Sequence, residues 1–138
     1  MGWRLAYWGL MGAFLLTAAL NLLHARAGFL TNYLADLTLP ALLYVLARNL
    51  VPGKQLHPRR LTLTLGRTPE TAAAALFLAS AATEVSQAFW PGGFFAGRFD
   101  PWDIVAYGAG LAVCYGFDRV QLSRRAASGV RGHFSQRP

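Results

Sequence analysis

This chain has little charge. Only 14% of its 138 residues are charged, whereas a soluble domain carries about 25%. With 54% apolar residues and a mean hydropathy of +0.32, the deficit argues against an ordinary soluble surface and points to a membrane. Acids are fewest, six in all: Asp36, Glu70, Glu84, Asp100, Asp103 and Asp118. Lysine is nearly absent, so the net charge of +7 is almost wholly arginine. Cys114 is the single cysteine, which excludes an intrachain disulfide and a cysteine-based zinc site. Inside an apolar run it reads as a small packing residue rather than a nucleophile. Nucleic-acid binders cluster basic residues on one face. Here the arginines lie between and beyond apolar runs, so the expected partner is lipid and not nucleic acid.

What is abundant is apolar sequence in long runs. A spanning helix needs about 20 apolar residues, and four segments approach this: about 5–23, 30–51, 70–90 and 101–118. In the first, Trp3, Tyr7 and Trp8 suit an interfacial aromatic belt. Arg4 and Ala25-Arg26-Ala27 also fit a cleaved signal peptide, but the apolar run exceeds the usual 7–15 residues. Thr17, Asn21 and His24 share one helical face. Pro40 interrupts the second segment. Thr68-Pro69-Glu70 is a helix start, with Thr68 as N-cap and Pro69 at N1. Ala75, Ala79 and Thr83 form one ridge of small residues, and Ala106, Gly110 and Cys114 a second; such ridges let helices approach closely. Leu61 to Leu65 alternates and suits a segment lying along the membrane surface. Residues 1–120 thus read as one transmembrane domain and 121–138 as a basic, disordered tail drawn to anionic lipid.

The arginines fix an orientation. Four spans put Arg4, Arg48, Lys54, Arg59, Arg60, Arg67, Arg119, Arg124, Arg125, Arg131 and Arg137 on one side and only Arg26 and Arg98 on the other. By the positive-inside rule both termini are cytoplasmic. The expected fold is all-α: an integral membrane bundle of four transmembrane helices.

In that topology the polar groups inside the runs gather toward the outer face. Asp36 and Glu84 lie roughly 9 Å below the outer helix ends at 1.5 Å per residue. A carboxylate at the bilayer centre costs about 2.5–3.5 kcal/mol on insertion scales, so these acids should face the bundle interior. Glu84 and Gln87 share a face near the end of the third run. Arg98 follows in a glycine- and aromatic-bearing loop. Asp100 and Asp103 open the fourth run, where they also suit an N-cap and its capping box. Asn32, His24 and Tyr107 are secondary candidates.

Glu-x-x-Gln, a loop with Arg, Asp-x-x-Asp and then Gly110 resemble the signature of the VanZ-like family of small bacterial membrane proteins. The resemblance covers about residues 30–117. Asn32 and Asp36 fit the family's polar position one helix earlier; Tyr107 stands where the family often has asparagine. The resemblance implies a multi-pass protein of the bacterial inner membrane with an envelope role. It would bind a lipid-linked or cell-wall ligand in an outward polar cavity and affect glycopeptide or lipopeptide susceptibility. Two alternatives stay open at this point. One is an intramembrane enzyme acting on a lipid phosphate carrier, with two carboxylates as acid and base or holding Mg²⁺. The other is a small proton-coupled transporter subunit. No Ser/His pair, zinc-binding spacing or phosphate-cradling loop supports catalysis. No cofactor is expected, and the oligomeric state is left open.

Overall fold

A computed structural model describes residues 2–24, 28, 33–51, 66–94 and 97–134, with side chains up to Ala127. Among the described residues there are four helices and no strand: α1 (Trp3–Leu22), α2 (Leu34–Ala47), α3 (Pro69–Phe89) and α4 (Pro101–Phe134). Of these, α1 and α3 are long and apolar enough to cross a membrane. Asn32, Arg26, the stretch 52–65 with its alternating leucines, and residues 135–138 lie outside the described residues.

Local chemistry sets the helix ends. Thr68 caps α3 as its sequence suggests: its hydroxyl accepts the Thr71 N–H at 3.2 Å, and the Thr71 hydroxyl accepts the Thr68 N–H. α2 is shorter than the 30–51 run. It ends at Ala47 because Asn49 adopts φ +51°, while the Leu50 N–H reaches back to the Val45 carbonyl and the Asn49 N–H to that of Leu46. This left-handed cap satisfies carbonyls that would otherwise be orphaned, and asparagine tolerates it. His24, at φ +55°, ends α1 the same way. At the other extreme α4 does not stop near Asp118. It takes residues 121–134 of the expected tail into one continuous helix. Gln121 to Ala127 holds good helix formers and no proline, so nothing interrupts it.

α2 is the central helix; α1, α3 and α4 all pack on it, and α3 also packs on α4. Gly110 makes the closest approach. A Cβ there would collide with the Leu37 carbonyl of α2, so the Ala106–Gly110–Cys114 ridge is a packing seam, as expected. The other ridge is not: Ala79 is exposed, and α3 buries Ala72 and Glu84 instead. With the Glu84 carboxylate turned inward, Ala79 faces outward and Ala75 and Thr83 are only partly buried. Trp3 and Tyr7 do not form an outer belt either. Both are buried, and Trp3 stacks edge-on against Phe117 at 5.0 Å and donates its indole N–H to Gln121 at 2.9 Å.

The apolar core lies toward one end. Trp3, Tyr7, Ala41, Leu42, Tyr44, Val45, Ala72, Leu111 and Cys114 form it. These residues come from the start of α1, the end of α2, the start of α3 and the middle of α4, so neighbouring helices alternate in direction. The exterior is apolar as well, with Leu15, Leu16 and Leu22 of α1, Leu78 and Phe89 of α3, and Val105 and Val113 of α4 all exposed.

Candidate functional site

The end of the bundle away from the core holds the polar candidates from the sequence. Glu84 enters from α3 and is 3% exposed. Its Oε1 accepts the Tyr107 hydroxyl of α4 at 2.8 Å, and its Oε2 accepts the Asp100 backbone N–H at 3.4 Å. Asp36 stands beside the same tyrosine from α2, facing Glu84 and Asp100. A buried carboxylate without donors is expensive. Glu84 has two, one from the helix it faces and one from the loop that leads into that helix.

Asp100 joins α2 to α4. Its Oδ1 accepts the Trp102 N–H at 2.9 Å, which caps the first turn of α4, and its Oδ2 accepts the Tyr33 hydroxyl at 3.3 Å. It is therefore a cap and a bridge together. Asp103, one turn on, has Asp36, Glu84 and Asp100 as like-charged neighbours. Gln87 lies under the loop, its amide packed against Gly97 so closely that a Cβ there would collide with it. Arg98 is exposed. It lines a pocket of about 530 Å³ with Tyr33, Phe99, Asp100 and Asp103. Among the described residues no group of three His, Cys, Asp or Glu side chains is placed to hold a metal ion.

The structure thus brings Asp36, Glu84, Asp100, Asp103 and Tyr107 together, with Gln87 of α3 and Arg98 of the adjoining loop beside them. His24 is exposed at the end of α1, apart from them. Of its expected polar face, Thr17 is buried and donates to the Ala13 carbonyl of its own helix, while Asn21 is exposed.

The chain matches no family model, no curated protein and no solved structure. The VanZ-like resemblance therefore rests on the residues quoted for it.

Two groups escaped the sequence reading. Tyr33 is the hydroxyl that ties α2 to Asp100, and it sits one helical turn before Leu37 with no motif to mark it. The second lies at the opposite end. Arg48 of the α2 cap pairs with Asp118 of α4 at 2.8 Å, with side chains 11% and 3% exposed, and Tyr44 donates to the same carboxylate oxygen at 3.0 Å. Arg48 also donates to the Gly66 and Arg67 carbonyls, at 2.6 and 3.2 Å. Asp118 marked only the end of an apolar run in the sequence. That it is an acid on the arginine-rich side was the available signal.

Proposed function

We propose that the chain is a multi-pass inner-membrane protein of the bacterial envelope, with four spans and both termini cytoplasmic. It binds a lipid-linked or cell-wall ligand in the pocket at its outer end, as the VanZ-like resemblance implies. The observation that carries this reading is the position of that pocket. It lies in the polar end of an apolar-surfaced bundle, opposite the end where Arg4, Arg48, Arg67 and Arg119 gather. The alternating helix directions agree with four spans. Glu84 acts here as a positioning residue, since both its oxygens are occupied by Tyr107 and by the Asp100 backbone. The charged groups left to meet a ligand are Arg98 and Asp103, with Tyr33 and Phe99 lining the same pocket.

The test is a tolerance assay on cells overexpressing the protein. Arg98→Ala and Asp103→Asn should each abolish any teicoplanin or lipopeptide tolerance conferred by the wild type, at unchanged membrane levels. Their combination should be no worse than either alone, because residues of one site act as a unit. A loss that merely follows protein abundance would reduce the cluster to a helix lock.

A further inference from the structure

The outer pocket does not stand alone. Tyr33 also lines a second, apolar pocket of about 410 Å³, with Leu37, Trp102, Val105, Ala106 and Ala109. Both volumes fall in the range of about 300–1,000 Å³ typical of ligand sites. The second runs down the α2–α4 face from Trp102 to Ala109, roughly 10 Å along the helix axis. Small side chains at Ala106 and Ala109 contribute to its wall. The two pockets share Tyr33, so a charged mouth and an apolar groove lie side by side.

The mouth narrows the chemistry. Asp100 is engaged by Tyr33 and by the Trp102 N–H. Among the described residues the Arg98 guanidinium and the Asp103 carboxylate have no hydrogen-bonding or ion-pair partner, and they do not pair with each other. Two opposite charges that line one pocket unpaired fit a ligand that carries both signs. A purely anionic head would meet Asp100 and Asp103 unfavourably. A purely cationic head would leave Arg98 unused. Guanidinium suits a phosphate, a carboxylate suits an ammonium, and the Tyr33 and Phe99 rings add favourable faces for a cation.

We infer that this site takes an aminophospholipid, a lipid whose head joins a primary ammonium to a phosphate. The phosphate lies on Arg98, the ammonium on Asp103, and an acyl chain in the groove between α2 and α4. The inference rests on the outward-pocket reading above and names its ligand class.

Intact-mass measurement of lipid retention tests it. The full-length protein in detergent is given equal amounts of phosphatidylethanolamine and phosphatidylglycerol with identical chains. The wild type should retain the ethanolamine lipid at least fivefold better. Asp103→Asn should bring that ratio to about one, and Asp103→Glu should restore it. Arg98→Gln should lower retention of both lipids about tenfold. Ala109→Phe, at an exposed position on the groove wall, should lower retention of the ethanolamine lipid about tenfold. Equal retention by the wild type, or a ratio unmoved by Asp103→Asn, overturns the ammonium assignment; if Arg98→Gln still matters, the outward pocket itself stands. Unchanged retention in Ala109→Phe overturns the groove. No effect of Arg98→Gln on either lipid overturns both the inference and the reading beneath it.

Discussion

Deleting the Glu84 carboxylate would take the acceptor from two donors and leave Asp36 as the carboxylate beside Tyr107. The Tyr107 hydroxyl, 2.8 Å away, has it as acceptor, and the Asp100 N–H reaches its other oxygen. A buried polar group left unsatisfied costs about 1–3 kcal/mol. Glu84→Ala and Tyr107→Phe should each lower the thermal unfolding midpoint in detergent micelles. Together they should cost less than the sum, because directly bonded partners couple by about 0.5–3 kcal/mol. Strict additivity of the two changes would show that this contact contributes nothing. At this scale the acids were legible in the sequence and their partners were not. Glu84, Asp100 and Asp103 stand out because charge in an apolar run demands a partner. Tyr33 and Tyr107 look like any aromatic in such a run, and only the fold reveals that their hydroxyls turn inward.

Among the helices, α2 does the joining, and a salt bridge fastens its C-terminal end. Arg48 fastens that end to Asp118 of α4 and to the carbonyls of Gly66 and Arg67, just before α3 begins. Removing one partner of a buried ion pair costs about 3–5 kcal/mol, because the other charge stays buried. Asp118→Asn should therefore destabilise strongly and speed hydrogen exchange at the Gly66 and Arg67 amides. Tyr44→Phe removes one hydrogen bond and should cost about 1 kcal/mol. If exchange at the turn is the same in Asp118→Asn as in wild type, the pair does not hold it. Helix starts were readable because Thr-Pro and Asp-Pro carry their own stereochemistry. The end of α2 was not, since apolar sequence continues past Ala47 and only the left-handed Asn49 stops the helix. The reach of α4 to Phe134 was missed for the opposite reason: arginine suggested a tail, yet arginine is a good helix former.

For the whole molecule, the all-helical fold with apolar helices was legible from composition and run length alone. The division into a packed end and an open end was not. It depends on which face of each helix turns inward, and small-residue ridges predicted that correctly for α4 and incorrectly for α3. The orientation proposed from the arginine count has a direct check. In a Cys114→Ser background, single cysteines at Gly28 and Gly93 should react with an impermeant thiol reagent on intact cells, and one at Gly53 should not. The reverse pattern would place the pocket in the cytoplasm.

In the four-span reading proposed above, the 34 residues of α4 make a rod about 51 Å long at 1.5 Å per residue, set in a hydrocarbon core of about 30 Å. Asp103 near one tip and Arg124 and Arg125 toward the other belong to the same rigid body. A flexible tail would let the basic end drift over the lipid surface whatever happened at the pocket. A continuous helix removes that freedom, so any piston or tilt imposed at the pocket is delivered to the arginines, and a pull on the arginines is felt at the pocket. Spin labels at Ala109 and Ala127, both exposed, should report one narrow separation near 27 Å between their backbone positions. A broad distribution would mean that the two ends of the protein are mechanically deaf to each other.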